Sequence, residues 1–413
     1  MNGGGSLPPT DMLKILFVQA DPQSSQALKA ALAPQRGDWE MCFVSDAGAA
    51  LHQLEMAPQD VVVADLASEG DKTLLGRVRE AFPEVVRIGL VPQTHSRLRH
   101  LSIVHQFLIK PFDVKELEVA VERSCKLRDL LQGELICRTL GKLEELPAAP
   151  TLYLRLVDKL NQEPEASVDE VAEIVEADVA ISAKLLQLVN SAIFRTSCEI
   201  ATVRLAASYL GLNVIKDLVL STEVFGAFEK SKPVPGFSVE ELQIHGRLTA
   251  KIAGRMHLAG GTRDAAIVAS LLHDIGKLVL AWKMPDRFAR LLARSREQNQ
   301  PLYQVEEELW GITHAEIGAY LLGLWGLPVG VTEAIAYHHS PSRVPYYRFD
   351  AIAAVYIANL LAHDNDGSVQ APQTVRDLGL LQNLGVADQL PTWEEIAEEM
   401  AASRDELPYG SLK

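Results

Sequence analysis

The sequence predicts two domains of different class, an α/β domain built on a five-stranded parallel sheet and then an all-α domain. Between about residues 13 and 126, five short β-rich apolar runs alternate with amphipathic helical stretches. That pattern is typical of a parallel sheet covered on both faces. After Gly133 nearly every segment has helical periodicity, and the breaks fall at proline or glycine. A chain of 413 residues with 48% hydrophobic residues is large enough to bury two cores.

The predicted sheet brings three polar residues to one edge. In an open parallel sheet, functional groups collect at the carboxyl ends of the strands. Asp21, Asp65 and Lys110 follow the first, third and fifth predicted strands. The five predicted strands are Lys14–Val18, Glu40–Val44, Val61–Ala64, Val86–Leu90 and Gln106–Ile109.

A helix over residues 114–136 is predicted to connect the two domains. Leu117, Val121 and Cys125 recur at four-residue steps on one face. Two interpretations stay open, a coupling rod or dimer seam and a plain amphipathic helix that covers the sheet. The predicted organisation is a flexible tail over residues 1–11, the α/β domain over 12–126, the connecting helix over 114–136, and the all-α domain over 137–413.

The all-α domain is predicted from periodicity and from helix stops. Asn190 and Ser191 are interpreted as a stop in which polar side chains bond to nearby backbone. A last helix over Thr392–Ser403 is expected to dock on the bundle. The other predicted helices are Thr151–Gln162, Val168–Glu176, Val179–Asn190, Leu212–Ala227, Glu240–Leu258, Ala265–Asp274, Phe288–Glu297, His314–Trp325, Gly330–His338 and Ala351–His363.

Composition narrows the function classes. A formal net charge of -15 repels phosphate backbones, and the sequence shows no basic patch, so nucleic-acid binding is not expected. No uncharged apolar stretch reaches the roughly 18 residues of a membrane span, so we expect no membrane insertion and a cytoplasmic protein. The four cysteines lack CxxC spacing and are interpreted as reduced packing residues.

The most informative feature of the all-α domain is a set of five histidines and one aspartate. Neutral imidazole and carboxylate are ligands that Mn, Fe, Co, Ni and Zn accept. Adjacent residues on a helix diverge by about 100°, so the pair His273-Asp274 can share a metal only where other helices close around it. The candidate ligands are His245, His273, Asp274, His314, His338 and His339.

The α/β domain resembles the receiver domain of two-component response regulators, which has a flavodoxin-like fold. The resemblance rests on Asp65 at the end of the third strand and on Lys110-Pro111-Phe112-Asp113 after the fifth. It implies that Asp65 is a phosphoacceptor candidate, with Lys110 and Asp21 beside it, and that a histidine kinase and a phosphorelay stand upstream.

Several departures from the receiver pattern weaken that implication. The acidic pair that would hold magnesium falls on Gln19 and Ala20, or on Ala20 and Asp21, so magnesium binding is doubtful. The fourth strand is followed by Val91-Pro92 where receivers carry a hydroxyl residue. We therefore prefer a pseudo-receiver that serves docking or dimerisation over a working phosphoswitch.

A series of short motifs runs through most of the all-α domain. They are Leu146-Pro147-Ala148-Ala149-Pro150, Glu176-Ala177-Asp178, Leu188-Val189-Asn190-Ser191-Ala192, Leu210-Gly211, Leu271-Leu272-His273-Asp274-Ile275-Gly276-Lys277, Gly311-Ile312-Thr313-His314-Ala315-Glu316-Ile317-Gly318-Ala319, Trp325-Gly326-Leu327-Pro328, His338-His339-Ser340-Pro341 and Ala358-Asn359. With these motifs the domain resembles the HDOD family, the HD-related output domain of bacterial signalling proteins. HD-superfamily phosphohydrolases use one or two metals to activate water for attack on phosphoesters.

Two departures bear on catalysis. Asn359, a seventh candidate ligand, stands where HD hydrolases carry a late aspartate, and its neutral amide lowers the expected metal affinity. The Gly-Tyr-Pro turn of cyclic-dinucleotide phosphodiesterases is missing after His338-His339. Lys277 is either a phosphate ligand or a cation that complements the carboxyl end of a helix.

These observations favour a signalling protein whose receiver-like input is coupled to a non-catalytic output that acts through protein–protein interaction. Two alternatives stay open, a metal-dependent phosphohydrolase that acts on a cyclic or linear nucleotide, and a sensor that binds a nucleotide without turnover. The expected partners are other signalling proteins, a histidine kinase or a cyclic-dinucleotide signalling enzyme, and a homodimer is also open.

Overall fold

The computed structural model describes residues 12–33, 39–66, 69–82, 84–92, 104, 106–131, 149–162, 166–191, 193–194, 200–228, 233–258, 260–345, 348–365 and 378–402. The chain divides into two compact units, Met1–Asp129 and Leu130–Lys413. The predicted tail over residues 1–11 lies outside the described residues.

The first unit is a parallel α/β domain. Its sheet has the strand order β2-β1-β3-β4-β5, and every neighbouring pair is parallel. This order is that of flavodoxin-like folds, in which the switch point lies between β1 and β3. The strands are β1 Leu13–Val18, β2 Trp39–Val44, β3 Val61–Asp65, β4 Val86–Pro92 and β5 Gln106–Lys110.

Successive residues of a strand point to opposite faces of the sheet. Both faces of this sheet are apolar, and helices cover both. Phe17 and Val63 belong to one buried cluster, whereas Leu16 and Val62 belong to the other. The central strands therefore have continuous apolar sequences. The helices are α1 Pro22–Ala31, α2 Ala47–Met56, α3 Glu69–Ala81 and α4 Val114–Leu131.

Helix α4 corresponds to the predicted connecting helix. Leu117, Val121 and Cys125 are buried in one of the two sheet clusters. Over its described length α4 therefore covers the sheet, as the plainer interpretation expects. Residues 132–136 of the prediction lie outside the described residues.

The second unit is all-helical in its described part, as predicted. Its helices are α5 Thr151–Gln162, α6 Val168–Glu176, α7 Val179–Val189, α8 Val203–Leu210, α9 Leu212–Glu223, α10 Val239–Ala253, α11 Gly260–Leu272, α12 Ile275–Lys283, α13 Pro285–Gln298, α14 Leu302–Trp310, α15 His314–Leu324, α16 Val329–Ala336, α17 Ala351–Asn365, α18 Leu378–Asn383 and α19 Leu390–Ala402. Short 3-10 turns cover Gly226–Phe228, Pro341–Arg343 and Ala387–Gln389.

Two predicted helix ends are wrong in a way that matters for the site. The predicted helix Ala265–Asp274 ends at Leu272, and a new helix begins at Ile275, so His273 and Asp274 form the junction. The predicted helix Gly330–His338 ends at Ala336. The His273-Asp274 pair and the His338-His339 pair therefore both lie just after the end of a helix, where side chains of neighbouring residues can converge.

The core of the helical unit is α17, which is buried from Ala351 to Ala362. Helices α10, α11 and α16 pack around it. The last helix α19 docks on α17 and α10 through Trp393, Ala397 and Met400, and Trp393 stacks on Phe349 with ring centroids 5.4 Å apart. This confirms the predicted docking of the terminal helix.

Within the described part of the chain, one segment meets the length and composition of a membrane span. It covers Gly261–Lys283, and 83% of its most apolar window is buried inside the protein. Core helices of globular domains pass the same test. The His273-Asp274 junction interrupts the segment.

Candidate metal centre

Helices α12 and α15 cross at Gly276 and Gly318, and this crossing brings candidate metal ligands together. A Cβ atom on Gly276 would lie 1.9 Å from the carbonyl oxygen of His314, and one on Gly318 would lie 2.9 Å from Cγ2 of Ile275. Only residues without a side chain permit this approach of α12 to α15. As a result, Nε2 of His314 lies 3.1 Å from Oδ1 of Asp274.

The paired histidines after α16 close the centre from another side. Nε2 of His338 lies 3.8 Å from Oδ1 of Asp274, and Nε2 of His339 lies 3.0 Å from Nε2 of His314. Nε2 of His273 lies 3.4 Å from Oδ2 of Asp274. Ligands of a single ion with bonds of about 2.1 Å stand roughly 3.0–3.4 Å apart. The separations of 3.0 and 3.4 Å suit a shared metal, and that of 3.8 Å is slightly longer.

Helices α10 and α17 supply the remaining predicted residues. Nε2 of His245 lies 2.8 Å from Oδ1 of Asn359, and the rings of His245 and His273 meet edge to face at 5.2 Å. The structure thus brings all seven predicted residues into one region. Two overlapping groups that could hold a metal share Asp274, one with His314, His338 and His339 and the other with His245 and His273.

Hydrogen bonds prepare two rings for metal coordination. Nδ1 of His273 donates to the carbonyl oxygen of Ser270 at 2.8 Å, and Nδ1 of His338 donates to that of Ile335 at 2.7 Å. Each Nε2 therefore carries a lone pair. Both Nε2 atoms are buried without a hydrogen-bond partner among the described residues. Buried acceptors that face one another without a donor repel unless a cation lies between them.

The protonation states also suit a metal. Burial, reinforced by neighbouring imidazoles, holds the pKa values of His245, His338 and His339 well below their usual range, and Lys277 adds to the shift of His245 and His339. Burial also lowers the pKa of His273, although Asp274 opposes the shift. Neutral imidazole is the form that binds a metal.

Asp274 and His314 are shifted in other directions. Burial acts to raise the pKa of Asp274, but Lys277 and His273 outweigh it and hold that pKa well below its usual value. Burial acts to lower the pKa of His314, but the Glu306 carboxylate outweighs it and the pKa is raised. A metal at His314 would replace the Nε2 proton. The donor set therefore fits a divalent transition metal. Which metal it binds stays a prediction.

Lys277 does not complement the carboxyl end of a helix. It lies in the first turn of α12, and its Nζ donates to Oδ2 of Asp274 at 2.6 Å. That interpretation is wrong because α12 begins only after the His273-Asp274 junction. The phosphate-ligand interpretation stays a prediction.

Sequence reasoning missed two neighbours of the centre. Glu306 of α14 is fully buried and accepts hydrogen bonds from His314. His363 stacks on His245 with ring centroids 4.3 Å apart. His363 follows Asn359 by four residues on the same helix, and this spacing could have revealed it. No sequence signal of this kind distinguishes Glu306 from Glu307 and Glu308, which follow it directly.

The receiver-like unit has a sparser site. Nζ of Lys110 donates to Oδ2 of Asp65, as the resemblance implies. Asp21 caps α1 instead, accepting from the backbone of Gln23 and Ser24. No group of three metal-ligating side chains includes Asp65 or Asp21 among the described residues.

Comparisons with known proteins support the assignment of the helical unit. The family model described as HDOD domain matches residues 146–341. An HDOD domain protein of unknown function from Geobacter sulfurreducens is 24% identical, with a TM-score of 0.52, and the match covers 68% of this chain and 99% of that one. This likeness shows a shared fold.

Two further matches are more limited. An uncharacterized protein of Treponema pallidum is 26% identical over 242 residues, which are 57% of this chain and only 46% of that protein. A response regulator receiver domain protein from Clostridium thermocellum is 20% identical over 29% of this chain, with a TM-score of 0.27. This second match supports no conclusion, so the receiver resemblance stays a prediction. Residues 146–341, matched by their family model, form an HDOD domain.

Proposed function

We propose that this chain is a bacterial signal-transduction protein whose helical output domain holds a divalent transition metal without using it for hydrolysis and acts by binding other signalling proteins. One observation carries the proposal. Asn359, at the position of the late aspartate of HD hydrolases, is a neutral amide engaged with His245 at 2.8 Å.

The residues that would hold the metal are Asp274, His314, His338 and His339, and His245 and His273 form a second group on the same Asp274 carboxylate. A metal there would supply Lewis acidity and would lower the pKa of a bound water. Hydrolysis also needs a carboxylate free to orient that water. Asp274 is paired with Lys277, and Glu306 is bonded to His314, so neither is free for that role.

Metal analysis of protein purified without chelators or a nickel column tests the proposal. About one equivalent of metal is expected, together with no turnover of cyclic dinucleotides, cyclic mononucleotides or nucleoside triphosphates in Mn²⁺ or Fe²⁺. His273→Ala combined with Asp274→Ala is expected to lose the metal. Protein without metal, or turnover that this double variant abolishes, contradicts the proposal.

A second candidate function is a metal-dependent phosphohydrolase. The observation in its favour is that the two ligand groups share Asp274, because a shared carboxylate suits a two-metal site. Two equivalents of metal with turnover would support it. Saturable nucleotide binding without product would instead support a sensor in which Lys277 meets a phosphate.

For the receiver-like unit we infer an input role based on docking rather than on phosphorylation. Asp21 caps α1, and among the described residues no group of three metal-ligating side chains includes Asp65. Incubation with radiolabelled acetyl phosphate tests this. Magnesium-dependent, hydroxylamine-sensitive label that disappears in Asp65→Asn would restore the phosphoswitch. The proposal also includes a cytoplasmic location. The proposed partners are a histidine kinase, a cyclic-dinucleotide enzyme or a second copy of this chain.

A further inference from the structure

The buried carboxylate of Glu306 accepts two hydrogen bonds from one residue, His314. Its Oε2 accepts from the backbone N–H of His314 at 2.9 Å and from Nδ1 of the same residue at 2.6 Å. Glu306 has no exposed surface, and the His314 side chain is 1% exposed. One oxygen thus fixes both the backbone and the ring of one residue.

That contact decides which nitrogen of His314 faces the centre. With Nδ1 bonded to Glu306, Nε2 points to Oδ1 of Asp274 at 3.1 Å and to Nε2 of His339 at 3.0 Å. A carboxylate on the far nitrogen of a ligating imidazole fixes the tautomer and raises the basicity of the ligating nitrogen. His273 and His338 lack this support, because their Nδ1 atoms donate to backbone carbonyls.

A fully buried carboxylate is costly unless it is paired and hydrogen-bonded. Glu306 forms no ion pair with lysine or arginine among the described salt bridges, and its partner there is His314. Its Oε1 has no hydrogen-bond partner in the described part of the chain. His314 lies between the Glu306 and Asp274 carboxylates, and a metal bound at its Nε2 would take the place of the Nε2 proton.

We propose that Glu306 is a positioning residue for the metal centre, holding His314 so that Nε2 coordinates and strengthening that bond. The inference rests on the proposed metal site. In this proposal Glu306 acts through His314 and does not touch the metal.

The test compares Glu306→Gln with Glu308→Gln, a half-exposed carboxylate on the same helix that loses the same charge. Apo protein is titrated with Co²⁺ in competition with a chromogenic chelator, and the visible absorption of bound Co²⁺ is recorded. Glu306→Gln is expected to weaken binding about 10- to 100-fold and to change the Co²⁺ spectrum. Glu308→Gln is expected to bind as the unaltered protein does.

The outcomes separate this inference from the proposed function. Unaltered protein that takes up no Co²⁺ overturns the metal centre and the role of Glu306 with it. Unaltered protein that binds Co²⁺, with a Glu306→Gln variant whose Kd and spectrum are unchanged, overturns the positioning role alone. A Glu306→Gln variant that weakens binding no more than Glu308→Gln also overturns it.

A measurement without any substitution covers the case in which Glu306→Gln does not fold. Nitrogen-15 spectra of the histidine rings are recorded on the unaltered protein loaded with Zn²⁺. His314 is expected to keep a proton on Nδ1 and to coordinate through Nε2. Coordination through Nδ1, or a proton on Nε2 in the loaded protein, contradicts the proposal.

Discussion

Oδ1 of Asn359 lies 2.8 Å from Nε2 of His245, and both side chains are buried beside the His273-Asp274 junction. The contact joins α10 to α17, two helices that are far apart in sequence. It places a neutral amide where an aspartate would add a negative charge to the centre. The first prediction follows from this charge.

Asn359→Asp is expected to tighten metal binding on the order of tenfold, which corresponds to about 1.4 kcal/mol. The added carboxylate lies at the margin of the ligand group and gives the metal one more balancing charge. Titration of apo protein with Co²⁺ measures the change. Asn365→Asp adds the same charge further along α17 and is expected to have a much smaller effect. Equal affinities for both variants would refute the prediction.

Gly276→Ala is expected to destabilise the helical unit by about 3 kcal/mol or more. The new Cβ atom would lie 1.9 Å from the backbone of His314, so α12 and α15 must separate. Thermal unfolding of the helical unit measures the loss. Gly330→Ala is the control, because no atom lies within 4 Å of its added Cβ. There alanine is expected to be neutral or to stabilise by up to about 1 kcal/mol.

Asn190→Ala is expected to cost about 1 kcal/mol, because partly buried backbone groups lose their hydrogen bonds. Nδ2 donates to the carbonyl oxygens of Leu186 and Ile200, and Oδ1 accepts from the backbone of Ile200 at 2.7 Å. These contacts confirm the predicted polar helix stop. Denaturant unfolding measures the free energy of unfolding. The value for Asn190→Asp, which keeps the acceptor oxygen, should fall between those of the parent and Asn190→Ala. An alanine variant as stable as the parent would show that the contacts contribute nothing.

Glu170 is expected to make part of the stability sensitive to acid. The hydrogen bond from Lys159, together with the capping-box contacts of Ser167, lowers its pKa from 4.5 to about 2. A carboxyl whose pKa is lower in the folded state stabilises fully above its unfolded value, and this contribution is lost as the pH falls toward the folded value.

Glu170→Gln should therefore lower the Tm of the helical unit at pH 7, and the difference from the parent should shrink as the pH falls from 5 to 3. Glu173→Gln, an exposed change on the same helix, serves as the control. Its Tm difference should not follow the same pH course. A Glu170→Gln difference that is constant between pH 7 and pH 3 would contradict the prediction.

The architecture was predictable because it depends on local periodicity. Alternation of β-rich runs with helical stretches predicts the parallel sheet, since both faces of each central strand are buried. Helices Thr151–Gln162 and Val168–Glu176 have the bounds predicted from sequence. Helices α8, α12, α14 and α18 were missed, because they are short or directly abut another helix.

The sequence by itself determined the fold class and the identity of the candidate ligands, from His245 to Asn359. Tertiary structure alone decided that α11 breaks at His273-Asp274 and that glycines bring α12 against α15. It alone placed Glu306 behind His314. The physical reason is that periodicity reports which face of a helix is buried, whereas the partner of that face depends on how distant helices pack.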